Sequence, residues 1–156
     1  MSVDIRPFVE RDAQATWQAF HAAVRQTAVR DYSVEQVAAW APDTVDLAAW
    51  GKRREQAHTF VAVVDGAVAG FADVTDAGLV DMLFVHPDHT GRGVARLLLT
   101  AVIDTARTRG LTRLHTHASR TARPVFERLG FITDRLNDSN WIRGQNLPNY
   151  DLHLDL

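Results

Sequence analysis

Cysteine is absent from the 156 residues, and this absence removes several classes of chemistry. Without thiols the chain cannot form disulfides, thiolate metal sites or iron–sulfur clusters, and it cannot use a cysteine nucleophile. An excess of one charge is also lacking, because 17 Lys and Arg face 19 Asp and Glu and leave a formal net charge of -2. A general nucleic-acid binder needs a basic surface, so the sequence predicts no nucleic-acid partner.

Long apolar runs are missing as well. No stretch approaches the ~18 uninterrupted apolar residues of a membrane-spanning helix, and residues 1–6 carry no basic segment followed by an apolar one. The 9 glycines and 5 prolines are scattered and form no linker. We therefore expect one cytoplasmic domain over residues 1–156, without a membrane partner.

The hydrophobic pattern of the chain is typical of the α/β (α+β) class. We expect a mixed, mostly antiparallel central sheet flanked by helices, with a continuous buried strand over residues 79–85 near its middle. The predicted strands are residues 3–8, 58–64, 67–74, 79–85, 113–118, 131–135 and 150–156. The predicted helices are residues 17–28, the segment after a capping box at Ser33 and Gln36, 44–57, 94–109 and 121–129.

The loop between the central strand and the longest predicted helix carries the most chemical information. Gly91 and Gly93 remove side chains where the first amides of the helix lack partners, so a phosphate group could bind there. Arg92 would add a positive charge. Two glycines by themselves also fit an ordinary strand-to-helix turn.

Two motifs together resemble the GNAT superfamily of acyl-CoA-dependent N-acetyltransferases. The loop signature of that family, Gln/Arg-x-x-Gly-x-Gly/Ala, corresponds here to Thr90-Gly91-Arg92-Gly93-Val94-Ala95, with threonine at the first position. A second landmark corresponds to Ser119, Ala122 and Phe126-Glu127-Arg128-Leu129-Gly130-Phe131. Residues 30–33 and 40–42 are similar to a YafP-like bacterial branch of the superfamily.

The resemblance implies acetyl-CoA as co-substrate and a primary amine of a small molecule or protein as acceptor. The residues that it assigns to the coenzyme are Phe84, Val85, Thr90, Gly91, Arg92, Gly93, Val94, Ala95, Ser119 and Phe126. Because the chain has no cysteine, we expect the amine to attack the thioester directly in a ternary complex. The last strand could close the sheet of its own protomer or pair across a homodimer.

Candidate catalytic residues follow from charge within an apolar strand and from a departure from the family pattern. Asp81 interrupts the central strand, and a hairpin centred on Ala77 would place Asp73 opposite it, so that repulsion raises the pKa of one carboxyl toward the range of a general base. Both carboxylates could instead be solvated or paired with arginine. Phe126 stands where many relatives carry a proton-donating tyrosine, which leaves Tyr32, Tyr150 or solvent as the source of a proton.

Other interpretations of the same residues remain open. Thr90, Ser119 and Phe126 would also suit a coenzyme A-binding regulatory module with little or no turnover. His86, His89, His115 and His117 suggest a metal site, but no third ligand lies at a diagnostic spacing, and we expect no metal. Residues 137–149 could form an acceptor-side loop or an ordinary surface loop. Trp17, Trp40 and Trp50 could line an acceptor pocket or belong to the core.

Overall fold

The computed structural model describes residues 2–156, in which ten strands and five α-helices are interspersed. The strands are β1 Val3–Pro7, β2 His58–Val64, β3 Ala67–Val74, β4 Leu79–Val80, β5 Leu83–Val85, β6 Arg113–Ser119, β7 Ile132–Asn137, β8 Trp141–Ile142, β9 Gln145–Asn146 and β10 Asn149–Asp155. The α-helices are α1 Ala13–Ala22, α2 Val34–Trp40, α3 Leu47–Gln56, α4 Val94–Thr108 and α5 Arg123–Arg128.

Eight of the strands in the described part of the chain form two four-stranded sheets, in the orders β1-β2-β3-β5 and β4-β6-β10-β7, and β8 pairs with β9. The pairing is antiparallel except between β4 and β6, which are parallel. The prediction of a mixed, mostly antiparallel arrangement flanked by helices is therefore confirmed. The final strand lies between β6 and β7, so it closes the protomer's own sheet.

The prediction of one continuous strand over residues 79–85 is wrong. The segment breaks at Asp81 and Met82, so that β4 belongs to the second sheet and β5 to the first. A continuous apolar run specifies burial, but it does not specify which neighbour each half will pair with.

Local signals account for most of the remaining elements. Asp65 and Gly66 have φ values of 50° and 81°, the left-handed pair that a tight β2–β3 hairpin requires. The capping box is present, because Ser33 accepts the amide proton of Gln36 and the Gln36 side chain accepts that of Ser33. The helix predicted over residues 44–57 begins later, at Leu47, because the carboxylate of Asp46 caps it by accepting the amide proton of Ala49.

Helices cover both faces of the first sheet. The buried stripe of α4 packs in one core cluster with the inner side chains of β2 and β3, and α1 and α3 pack on the other face around Phe20, Trp50 and Phe71. In β6 the buried residues Leu114 and Thr116 alternate with exposed histidines. Between residues 2 and 156 no helix is both long and apolar enough to cross a bilayer.

Candidate functional site

A cleft opens where the two sheets separate. The parallel contact of β4 with β6 ends at the pair Val80 and Thr116, and β5 then turns away to pair with β3. The buried Thr116 hydroxyl donates to the Val80 carbonyl at 2.7 Å, which satisfies the last backbone group before the split. The facing edges of β5 and β6 are therefore left apart.

The backbone of β5 presents polar groups to this cleft. The Met82 carbonyl accepts the Asp73 amide proton and the His86 amide donates to Ala69, so alternate residues of this strand bond to β3. In an antiparallel ladder the intervening residues point the opposite way. Leu83 and Val85 accordingly direct their N–H and C=O groups into the cleft.

The bulge between β4 and β5 is held by a buried side chain. Asp73 Oδ1 accepts the amide protons of Asp81 at 3.0 Å and Met82 at 2.9 Å. The register pairs Ala72 with Leu83, which puts Asp73 opposite Met82, so the predicted pairing of Asp73 with Asp81 is wrong by one residue. The bulge inserts that residue, and the hairpin signal at Ala77 could not reveal it.

Two charged residues near the bulge, Asp73 and Arg54, are buried. Burial raises the pKa of Asp73 to about 6, and the nearby charge of Asp81 adds to the rise. The guanidinium of buried Arg54 opposes it and lies 4.2 Å from the ring centre of Trp50. Asp73 is therefore buried structural support, whereas Asp81 is exposed to the cleft.

One part of the cleft is a mostly apolar cavity of about 670 Å³ that ends at the start of α4. Gly91 and Gly93 both have φ of 76°, and a Cβ atom at either position would meet open space. The first bond within the helix runs from the Leu97 amide to the Gly93 carbonyl, so the preceding amides have no helical partner. Gly91, Gly93, Val94 and Ala95, which the resemblance assigned to the coenzyme, line the cavity.

The positive side chains at this cavity differ from the sequence expectation. Arg92 is exposed and is not among the lining residues, whereas Arg96 and Arg128 are. The sequence analysis missed both, although Arg96 lies three residues after Gly93 and so shares its helical face. Thr90 lines the cavity, and its hydroxyl donates to the Pro87 carbonyl.

A second cavity of about 460 Å³ lies at the other end of the cleft and is more polar. The two cavities meet at a shared wall formed by Trp40, Leu83, Phe84, Ser119 and Ala122. Asp81 lines the second cavity, together with side chains from β6, β7 and β10 and from the segment 137–149. Trp40 thus lines both cavities, whereas Trp50 is a core residue.

A network of charged side chains crosses the floor of the second cavity. His117 Nδ1 and Asp151 Oδ1 are 2.6 Å apart, and Arg135 Nε donates to Asp151 Oδ2 at 2.7 Å. Burial by itself would raise the pKa of Asp151, but hydrogen bonds from Asn137, Arg135 and His117 outweigh it and lower the pKa to about 2. The sequence analysis missed this network, although strand alternation places His117 and Asp151 on exposed faces of neighbouring strands.

The other predicted site residues occupy the walls. Tyr32 Oη donates to the Pro148 carbonyl at 2.6 Å and accepts the Arg120 amide proton at 3.0 Å, and burial raises its pKa. Ser119 Oγ accepts the amide proton of Ala122. Phe126 is buried against Phe131 and lines the second cavity only.

The histidines do not assemble into a metal centre. Within residues 2–156, no three His, Asp or Glu side chains are grouped so that they could hold a metal ion. His86 accepts the Asp88 amide proton through Nδ1, and the Nδ1 atom of His89 is buried without a hydrogen-bond partner. His89 lines the first cavity.

Comparisons with known proteins identify the family to which the chain belongs. Residues 28–147 match the family model described as Acetyltransferase (GNAT) domain. The chain is 36% identical over 132 residues to the uncharacterized N-acetyltransferase YafP of Escherichia coli (strain K12), covering 85% of this chain and 83% of that protein. Among solved structures, a GCN5-related N-acetyltransferase from Rhodopseudomonas palustris is 33% identical with a TM-score of 0.95, covering 100% of this chain and 97% of the other. The yncA acetyltransferase from Salmonella typhimurium, solved with its cofactor acetyl-CoA, is 26% identical with a TM-score of 0.75, covering 99% and 94%.

Proposed function

The chain belongs to the acetyltransferase (GNAT) family and is an acetyl-CoA-dependent N-acetyltransferase, and we propose that its acceptor is a primary amine that attacks the thioester directly within a ternary complex. The observation that carries this proposal is the cleft between β5 and β6, with an amide-lined loop at one end and a polar cavity at the other. The absence of cysteine supports direct attack, because no acetyl-cysteine can form.

The first cavity suits the coenzyme. The backbone amides of Gly91, Gly93, Val94 and Ala95 at the positive end of α4 would bind the pyrophosphate, and Arg96 and Arg128 would neutralise phosphate charge. The N–H and C=O groups of Leu83 and Val85 would pair with the amides of the pantetheine arm, beside Phe84. Thr90 lines the same cavity, but its amide and its hydroxyl both donate to the Pro87 carbonyl, so it would contact the coenzyme without donating to it. This route would bring the acetyl group to the shared wall.

The chemistry would take place where the cavities meet. The Leu83 N–H points into the cleft and would donate to the thioester oxygen as negative charge develops on it. We assign Asp81 to receive the acceptor's ammonium group and to take a proton from it, because its carboxylate is exposed to the second cavity. Phe126 has no proton to give, so coenzyme A would leave as the thiolate and gain its proton from solvent.

The second cavity would select the acceptor. Asn137, Ser139, Asn140 and Asn149 supply neutral hydrogen-bonding groups, and Asp81 supplies a negative charge. Such a lining favours a cationic amine of a small molecule or an exposed protein amine. We further propose that residues 1–156 act as one domain in the cytoplasm.

The competing proposal is a regulatory module that binds coenzyme A and turns over little or none. It is favoured by the Thr90 hydroxyl, which is bonded to Pro87, and by Phe126 at the usual position of a proton donor. Binding without coenzyme A release would support that module.

Acetyl-CoA binding by calorimetry, followed by coenzyme A release against a panel of primary amines, tests the proposal. Gly93→Glu should abolish binding, because it puts bulk and negative charge among the pyrophosphate amides. The matched control is Gly110→Glu at the other end of α4, where φ is 78° and a Cβ also meets open space. Equal affinity of both variants would contradict the assigned loop, and no binding by the wild type would contradict the proposed function.

A further inference from the structure

Acetyl transfer to an amine moves two protons off the acceptor nitrogen, and the carboxylate of Asp81 can hold only one of them at a time. The acceptor enters as an ammonium ion, and its nitrogen loses two protons while the C–N bond forms and the C–S bond breaks. Coenzyme A takes up one proton from solvent after it leaves as thiolate, and the net reaction releases one proton. A second proton acceptor in the acceptor cavity would therefore have a defined task.

His117 is placed to perform that task. It lies in β6 directly after Thr116, the last residue paired with β4, just as Asp81 directly follows Val80 on the other strand. The two side chains thus flank the mouth of the split between the sheets, and both line the second cavity. The His117 side chain is 53% exposed, so an acceptor can reach it.

The hydrogen-bond network fixes which nitrogen of His117 is available. Nδ1 is 2.6 Å from Asp151 Oδ1, and Asp151 is held as an anion by Arg135 and Asn137. An anionic partner requires a proton on Nδ1, which leaves Nε2 as the basic atom. Within residues 2–156, that Nε2 atom has no hydrogen-bond partner.

We propose that His117, oriented by Asp151, is a second proton acceptor for the attacking amine and that Asp151 is its positioning residue. This inference rests on the proposed acetyltransferase function and adds a residue to its machinery. In the reaction, His117 Nε2 takes one proton from the nitrogen, Asp81 takes the other, and both groups return their protons to solvent. Asp151 stays ionised throughout, because its pKa is lowered to about 2.

The sheet contains a matched pair for the control. His153 Nδ1 lies 2.8 Å from Asp134 Oδ1, which reproduces the histidine–aspartate contact outside the cavity. Substituting His153 therefore removes a similar ion pair from the same sheet without touching the acceptor cavity. Its effect measures what the loss of such a contact does to the fold alone.

The test compares wild type, His117→Gln, Asp151→Asn and His153→Gln in coenzyme A release, using acetyl-CoA with spermidine, tyramine, glycinamide and lysine methyl ester as probes. His117→Gln should lower kcat about 100-fold, the lower end of the usual range for acid–base residues, with the KM for acetyl-CoA within twofold. Asp151→Asn should also lower kcat, and His153→Gln should have the kcat and KM of the wild type. Added imidazole should restore part of the rate of His117→Ala, which a purely structural role would not allow.

The pH dependence separates the two proton acceptors. Groups that share the environment of His117 come from every neighbouring element, namely Asp81 after β4, His115 on β6, Asp151 on β10 and Arg135 on β7. An imidazole base acts in its neutral form, so the pH profile of kcat should differ between the wild type and His117→Gln. Nitrogen-15 spectra of the imidazole should show the Nδ1–H tautomer.

Three other outcomes would contradict one or both of the proposals. A wild type that turns over while His117→Gln retains its rate and pH profile overturns the role of His117 but leaves the proposed function intact. An Nε2–H tautomer also overturns it, because the basic atom would then face Asp151. A wild type that releases no coenzyme A with any amine overturns both proposals.

Discussion

The carboxylate of Asp73 lies beneath the bulge and accepts two consecutive amide protons, those of Asp81 and Met82. These contacts define the point at which the central strand leaves one sheet for the other. The cost is a buried carboxyl whose pKa is raised to about 6. Its protonation state therefore couples the stability of the bulge to pH.

The pH dependence of stability should report this residue. A folded pKa of about 6 exceeds the unfolded value of about 3.9, so the stabilising effect of protonation is complete below pH 4 and is lost as the pH rises through 6. A shift of two pKa units corresponds to about 3 kcal/mol. Asp73→Asn should remove that decline, as measured by urea unfolding between pH 4 and pH 8. Parallel curves for the two proteins would contradict the assignment.

The exposed Asp81 should behave differently. Asp81→Asn should lower kcat by roughly 100-fold and leave acetyl-CoA affinity and the free energy of unfolding nearly unchanged, because between residues 2 and 156 the Asp81 side chain makes no hydrogen bond to the backbone. Steady-state kinetics and calorimetry on one preparation measure the first two quantities. Asp88→Asn, which changes an exposed carboxylate outside both cavities, is the control. A loss of coenzyme affinity equal to the loss of rate would instead make Asp81 a binding residue.

At the scale of elements, Tyr32 joins three segments around the acceptor cavity. Its hydroxyl bonds to Pro148 before β10 and to Arg120 after β6, and Asp31 beside it accepts a hydrogen bond from Thr121. The turn before α2 is thereby fastened to both loops. The sequence analysis named Tyr32 as a catalytic candidate, and that role would require its proton to leave the Pro148 carbonyl.

The variant Tyr32→Phe distinguishes a structural role of the Tyr32 hydroxyl from a catalytic one. Loss of two hydrogen bonds at a buried site should lower the free energy of unfolding by about 1–3 kcal/mol, with kcat at saturating acetyl-CoA within a few-fold of wild type. Tyr150→Phe serves as control, because no hydrogen bond of the Tyr150 hydroxyl is recorded in residues 2–156. A large loss of kcat with unchanged stability would instead identify Tyr32 as the proton donor.

Sequence patterns predicted those elements whose signals are local. The Asp65-Gly66 turn, the Ser33 capping box and the glycine loop before α4 depend on residues a few positions apart, and the structure contains all three. The break at Asp81 depends on which strands lie beside each half of the segment, and a single apolar run does not carry that information. The network at Asp151 joins β6, β7 and β10, so only the three-dimensional pairing brings its members together.

For the whole molecule, the two sheets are joined through the short segment that carries the bulge. The first sheet supplies β5 to the coenzyme cavity, which the start of α4 also lines. The second sheet supplies β6, β7 and β10 to the acceptor cavity. A ligand that spans the cleft contacts both sheets, and ligand binding adds its free energy to folding stability. The coenzyme should therefore protect groups on both sides of the split.

Hydrogen exchange can test this arrangement amide by amide. In the β3–β5 ladder, Phe84 is bonded to β3, whereas the amides of Leu83 and Val85 face the cleft. Saturating acetyl-CoA should slow exchange at Leu83 and Val85 well beyond the change at Phe84, and should also slow the amides of Val94 and Ala95. Exchange measured by NMR with and without acetyl-CoA, with Gly93→Glu as a non-binding control, resolves these positions. Protection confined to α4 would mean that the coenzyme binds its loop without entering the cleft, because only a ligand lying along β5 covers alternate amides of that strand.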